Sequence, residues 1–455
     1  MNKKHIYLRC LVGLLLLMSM TLWGCADQAP AQTTPPTENT TVNYLVDIGG
    51  STVDMRSEEL DLTGMPYSLE TLLSASGELS QLTVLNLGPE PVTPEQLDRL
   101  QEAFPHTEIR YHVSLFGKAV ACDAAYLDLA DMTAAQTQEL IEILPCLPLL
   151  EEINFVNSEG GCVYTLEDIG ELDKLKAAAP EVFLHVSFDL FGQKVTSKDT
   201  RIEYVDAQIG EEGLELFYQV LPHLTCCEYL LLDECGISNE RMDQFRDDFP
   251  QVKIVWRIWL GAEYTVLTDV EKILASSGRE PRLHKQDTEP LKYCRDVIYM
   301  DLGHNRIEDI SFVTYMPKLE VLILAVNYVY DATPLASCTN LEYLEIFTTL
   351  IYDISPLSSL TNLKHLNLCN IPIRDASPLY GLTNLERLWV GCTTKLSRAS
   401  IAELREKLPN CEINSSTASP SAEGWRIHPR YDLLREQFGY DELDYCFWWR
   451  DEKFK

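Results

Sequence analysis

The chain has 455 residues, 46 % of them hydrophobic, and a formal net charge of -32 at pH 7. The apolar share excludes wholesale disorder, and the length exceeds what one ordinary globular domain needs. So acidic a surface repels phosphate backbones, which argues against nucleic acid as a partner and favours a cationic one.

Residues 1–24 read as a signal peptide. Lys3, Lys4 and Arg9 form a basic start with no acid, and an apolar run from Leu11 to Leu22 follows. The run is too short to span a bilayer comfortably. It ends in Leu22-Trp23-Gly24-Cys25, which resembles a bacterial lipobox, although Trp23 is bulkier than the small residue usual there. The resemblance implies that Cys25 carries a diacylglyceryl thioether. It also implies a mature protein held by lipid on the extracytoplasmic face of the bacterial cell membrane. Residues 25–43, rich in Ala, Gln, Thr and Pro, then form a flexible tether.

Residues 44–266 repeat on a long period. Pro105, Pro180 and Pro250 are each followed by alternating apolar residues: Ile109, Tyr111, Val113 and Leu115; Leu184, Val186, Phe188 and Leu190; Ile254, Trp256, Ile258 and Leu260. Period two predicts a strand, and Gly117, Gly192 or Gly261 marks the turn after it. Three degenerate LxxLxL strands accompany these units: Leu82, Leu85 and Leu87; Leu150, Ile153 and Phe155; Cys227, Leu230 and Leu232. Thr93-Pro94-Glu95-Gln96 predicts a helix start with a capping box, and Ser238 to Phe249 reads as another helix. Residues 267–295 are taken as a junction, with a helix expected from Thr268 to Ala275.

Residues 296–414 carry a sharper repeat. Blocks starting at 296, 318, 340, 362 and 384 are 22 residues apart. Their fifth position reads Met300, Leu322, Leu344, Leu366 and Leu388, and their seventh Leu302, Leu324, Ile346, Leu368 and Val390. The twelfth and eighteenth positions are apolar as well. No such coil can bury its apolar edge alone, so neighbours stack. Asp309, Asp331, Asp353 and Asp375 form a column suited to capping a short helical turn. Ser400 to Leu408 reads as a helix, and Pro409 to Ile413 as a shortened copy of the proline–strand motif. The two halves share a building style, which predicts one solenoid of about 370 residues.

Blocks such as Asn340 to Thr361 resemble the 22-residue repeats of internalin-like leucine-rich-repeat proteins. The resemblance implies an α/β leucine-rich-repeat solenoid used for protein recognition. The family's asparagine at the tenth position is half lost here: the column reads Asn305, Asn327, Thr349, Ile371 and Thr393.

On an LxxLxL strand the fourth, sixth and eighth positions point across the concave sheet. The residues expected to bind a ligand there are Tyr299, Val321, Ile323, Tyr343, Phe347, His365, Arg387 and Trp389. Apolar and aromatic side chains with arginine on an exposed face mark recognition. Residues 415–455 are a small, polar linker and an aromatic, charged tail, with a short helix expected from Tyr431 to Phe438. The tail has three open readings: a cap on the last coil, a cover over the concave face, or a recognition element built on Trp425, His428, Arg430, Trp448 and Trp449.

Enzyme motifs are lacking: there is no GxSxG elbow, Walker loop, HExxH or dinucleotide fingerprint. Scattered cysteines, with Cys227 and Cys338 in inward columns, predict buried free thiols and no zinc site. The expected function is recognition of a protein or peptide, without a cofactor. The alternative is an envelope scaffold or a component that captures glycan or another substrate.

Overall fold

A computed structural model describes residues 44–276, 280–391, 395–417, 419–421, 424–426 and 428–439. The proposed leader, Cys25, Trp448 and Trp449 lie outside these residues. The described residues divide into two compact units, those up to residue 85 together with 102–108, and residues 86–101 together with those from 109 on.

In the first unit, strands Leu45–Asp47 and Thr52–Asp54 pair antiparallel. A third strand, Glu59–Asp61, and a short helix, Leu69–Ser74, follow. Ile48, Leu62, Leu72 and Leu79 are its buried centre.

The larger unit holds two three-stranded parallel sheets before residue 256. One joins Tyr126–Asp128, Glu152–Asn154 and Phe183–His185; the other joins Arg201–Val205, Tyr229–Asp233 and Lys253–Val255. After each proline–strand motif the chain continues into an antiparallel hairpin, Ser187–Leu190 with Gln193–Thr196 and Arg257–Leu260 with Tyr264–Leu267. Within Glu108–Leu115, the residues from His112 on pair in the same way with Lys118–Ala121. The turn residues Phe116 and Phe191, each followed by glycine, sit at φ 51°. The Thr93 capping box forms, with Thr93 N–H donating to Gln96 Oε1 at 2.9 Å and Gln96 N–H to Thr93 Oγ1 at 3.2 Å.

The C-terminal sheet has seven parallel strands: β1 Lys272–Leu274, β2 Tyr299–Asp301, β3 Val321–Ile323, β4 Tyr343–Glu345, β5 His365–Asn367, β6 Arg387–Trp389 and β7 Glu412–Asn414. The register joins like positions of successive blocks, so Met300, Leu322, Leu344, Leu366, Leu388 and Ile413 lie side by side. From Met300 to Leu388 these side chains are fully buried between sheet and return segments. The returns are short 3-10 turns, Ser311–Tyr315, Thr333–Ser337, Ser355–Ser359 and Ser377–Leu379. In the last three, Pro334, Pro356 and Pro378 stand in the first turn, where proline's missing N–H has no partner. Each turn is opened by the aspartate column: Asp309, Asp331, Asp353 and Asp375 accept from the N–H two residues on at 2.8–2.9 Å. The architecture is the α/β leucine-rich-repeat solenoid.

The expected junction helix is not there. Thr268 to Ala275 is not a helix: Lys272–Leu274 is a strand, paired with Tyr299–Asp301 as an earlier coil of the same sheet. Its inward residues, Ile273 and Ala275, are buried. Tertiary pairing outweighs the weak local helical preference there. The half-lost asparagine column is also explained. Asn305 and Asn327 bridge coils, donating to Ala275 O at 2.8 Å and Leu302 O at 2.9 Å, while Thr349 bonds only to Ile346 O of its own coil. A second ladder holds the later coils: Asn340, Asn362 and Asn384 donate to Pro317, Thr339 and Thr361 carbonyls at 2.7–2.9 Å. In the earlier sheet Cys235 takes the bridging role, its Sγ 3.6 Å from Tyr204 O.

Candidate functional site

The outward face of the C-terminal sheet is built from two columns. The first reads Tyr299, Val321, Tyr343, His365, Arg387; the second reads Asp301, Ile323, Glu345, Asn367, Trp389. Phe347 lies two residues beyond Glu345 on the same side. All eight residues expected to bind a ligand are therefore brought to one face. Their exposure is the correction: Val321, Ile323, Tyr343, Phe347, His365, Arg387 and Trp389 are each at most 7 % exposed, and Tyr299 is half-buried. The face points away from the coil interior, as period two requires, but the chain's own tail covers it.

The cover has an irregular part and a helix, α1 (Pro429–Phe438). His428 Nδ1 accepts from Arg430 N–H at the start of α1, and Gly439 closes it at φ 69°. Tyr431, Leu434 and Phe438 are buried, and Leu434 and Phe438 join a cluster with Val321, Ile323, Ala325 and Phe347. At the edge, Gln437 Nε2 donates to Tyr299 Oη at 3.2 Å.

Trp425 is the centre of the contact. It is fully buried, with its ring 5.6 Å from Tyr343 and 5.2 Å from Trp389 between centroids. Its Nε1–H donates to Glu345 Oε1 at 2.8 Å, an oxygen that also accepts from Tyr343 Oη. The Arg387 guanidinium lies 4.6 Å over the Trp425 ring and 4.7 Å over Trp389, a stacking that arginine's planar, weakly hydrated charge favours. Arg387 also donates to Gly424 O at 2.7 Å. Asn367 Nδ2 donates to Pro420 O at 2.8 Å. Gly391 admits the backbone of Thr417, because a Cβ there would stand 2.8 Å from Thr417 N.

The site is polar for a buried surface. Burial and the neighbouring Arg387 push His365 down to about 3, so its ring is neutral near pH 7. Burial resists the charge of Arg426, and Tyr431, Glu345, Tyr343 and Asp301 outweigh it, so that guanidinium stays protonated. Among the described residues, Glu345 Oε2, His365 Nδ1 and Trp389 Nε1 find no hydrogen-bond partner.

Sequence reading named Trp425, His428 and Arg430 in the tail and the eight face residues, and left a tail laid over that face as one of three open readings. Glu345 and Asn367 were placed in the outward column but not among the binding residues, and Arg426 was not singled out. The available signal was an acid inside an aromatic column, with Trp-Arg later in the chain.

Other candidate groups do not assemble. Burial pushes the Cys227 thiol up to about 11, which leaves no thiolate for nucleophilic attack. The ten described cysteines are free. His112 Nδ1 meets Gly88 O at 3.0 Å and His185 Nδ1 meets Asn154 Oδ1 at 2.8 Å, two unlike structural contacts. Among the described residues no group of three His, Cys, Asp or Glu side chains is placed to hold a metal, and no helix is long and apolar enough to cross a membrane.

Residues 361–406 match a protein family described as leucine-rich repeats (2 copies). No curated protein matches the chain. Solved structures similar to it include an internalin C2 from Listeria monocytogenes, at 22 % identity over 50 % of this chain and 86 % of that one, with a TM-score of 0.29. An internalin from the same organism is 17 % identical over 82 % and 87 % of the two chains, with a TM-score of 0.26. A leucine-rich-repeat protein from Leptospira interrogans is 16 % identical over 78 % and 95 %, with a TM-score of 0.29. Superpositions this loose carry no information on ligand or role.

Proposed function

We propose that this chain is a lipid-anchored module on the extracytoplasmic face of a bacterial cell membrane, which recognises a protein or peptide through the outward face of its leucine-rich sheet. One observation carries the reading. A parallel sheet presents Tyr343, Trp389, Arg387 and Glu345 on one face, and that face already holds a peptide segment by the segment's main chain and by one tryptophan. Aromatic side chains with arginine around a central pocket are the anchors that binding surfaces favour. Binding, without catalysis, is the proposed role.

Two experiments test it. A random-peptide display selection against the full chain is counter-screened on Trp389→Ala. Selected peptides are expected to lose binding to that variant, and peptides that bind both equally, or no selected peptides at all, would sink the recognition reading. The anchor is tested separately by labelling cells with a fatty-acid analogue. Label is expected on the wild type and absent from Cys25→Ala; a labelled, membrane-bound variant refutes the lipid assignment.

A further inference from the structure

The tail contact resembles a bound peptide more than a sealed core. Much of its grip is on main-chain groups: Asn367 reaches Pro420 O, and Arg387 reaches Gly424 O at 2.7 Å and Trp425 O at 3.4 Å. Such contacts hold a segment by its backbone whatever its side chains are. Selectivity falls on one pocket, where Tyr343, Trp389 and the Arg387 guanidinium surround an indole and Glu345 takes its N–H.

The pocket also has charge to spare. Glu345 is 1 % exposed, yet its Oε2 has no hydrogen-bond partner among the described residues, and neither has Arg426 Nε. A buried carboxylate left half-satisfied is costly, and permanent interiors seldom keep one. The segment now in place therefore leaves unmade a charge-assisted bond that a better-fitting one can make. The route out is open as well. The covering segment leaves the sheet after Asn414, and residues 415–417 have no strand or helix, so it can depart without unpairing β7. Glu345 on the face and the chain's net charge of -32 both favour a cationic newcomer.

We infer that this face is a peptide-binding site for a segment carrying a tryptophan followed by a basic residue, and that Trp425-Arg426 occupies it in cis as a displaceable stand-in; this rests on the recognition role proposed above. The committed occupant is a foreign cationic, tryptophan-bearing peptide. The cis segment sets a threshold, because a trans ligand sees only the fraction of molecules whose face is open.

The test uses the full chain and a labelled synthetic peptide of residues 417–439, read by fluorescence anisotropy. Trp425→Ala weakens the internal competitor, so it is expected to bind the peptide at least about tenfold tighter than wild type does. Adding Glu345→Gln to that variant should cost about tenfold, the scale of one charge-assisted bond. A peptide with alanine in place of its tryptophan should not bind. A second measurement needs no variant: excess peptide added to wild type should strip amide-exchange protection from residues 424–438 and leave β2 to β6 protected. Four results would overturn the inference. They are a folded Trp425→Ala chain that ignores the peptide, wild-type protection unmoved by excess peptide, equal binding of the alanine peptide, and dimers formed by tail exchange between copies. Face-dependent peptides from the display selection that lack a tryptophan–basic pair would refute this inference alone and leave the recognition role standing.

Discussion

Leu344 and Glu345 are adjacent on β4, 0 % and 1 % exposed, yet different parts of the chain bury them. Leu344 points into the coil, between Leu322 and Leu366 of its neighbours in the register. Everything around it belongs to the repeat and must form for the coil to exist. Glu345 points the other way and is buried by Trp425, eighty residues on, across a linker. The inner face is apolar; the outer one mixes aromatics with a carboxylate, a guanidinium and a neutral imidazole. Equal burial thus hides unequal commitment. One face is closed by the repeat itself, and the other by a segment from outside the repeat.

Substitutions at the two faces should part company, beginning with the largest effect. Leu344→Ala should cost about 2–5 kcal/mol, from lost burial and the cavity left behind. The loss should spread to adjacent coils, since stacked repeats stabilise one another mainly at their interfaces. Chemical denaturation reads it. Trp425→Ala removes a larger side chain but should cost less than the about 3–5 kcal/mol of the same change in a permanent core. Its ceiling is the free energy of tail docking, because the sheet stays folded. Hydrogen exchange should show protection lost from residues 424–438 and retained by β2 to β6. Equal melting losses for the two variants would erase the distinction between the faces.

Acid should act on the outer face first. His365 is pushed down to about 3 by burial and by Arg387, His428, Arg430 and Lys364, from an ordinary 6.5. Burial and Arg387 also lower His428, although Glu412, Glu386 and Asp432 oppose the shift. Covered imidazoles that resist protonation favour the covered state fully above pH 6.5. That preference is lost as pH falls from 6.5 toward 3, because the open face takes up the proton. Tail protection measured at pH 7.5 and at pH 5 should therefore drop, and His365→Gln should flatten the drop. A rise in protection on acidification would contradict this.

How much of this was legible in the sequence follows from the range over which each feature is encoded. The inward columns repeat every 22 residues, so each coil restates the pattern, and five coils make it plain. The aspartate column was legible for the same reason. The coil at Val270, Ile273 and Ala275 was passed over because alanine stands where the pattern wants a large apolar residue, and because its step to the next coil is longer. The asparagines at 340, 362 and 384 compensate for the lost tenth-position ladder, but their side chains could as well have faced water. The covered face was the hardest feature to read. Period two says which way Tyr343 and Trp389 point, but what lies over them is set by a segment some 35 to 80 residues away, whose docking no local pattern records.

The smallest expected effect lies at the hinge between the two faces. The residue after each outward eighth position is His304, Val326, Thr348 or Asn370, all at φ 54–60°. That left-handed conformation is a strained one for a β-branched residue. The ladder imposes it: in this geometry the N–H of Val326 reaches Phe347 O at 2.9 Å, and that of Thr348 reaches Cys369 O at 3.0 Å. Asparagine tolerates the conformation better, and Asn370 already occupies the same position one coil on. Thr348→Asn keeps the backbone bond and is expected to raise stability by about 0.5–1 kcal/mol, by relieving part of the strain. Val326 is a poorer test, because it also packs against the covered apolar cluster and its replacement would disturb both faces at once. Thr348 is only partly buried and its hydroxyl takes an exposed bond from Asn370 Nδ2 at 3.2 Å, so its replacement should leave tail protection unchanged. A gain in melting temperature without a change in exchange at residues 424–438 would show that coil stability and tail docking are set independently. A loss of stability would mean that the Thr348–Asn370 contact outweighs the backbone strain.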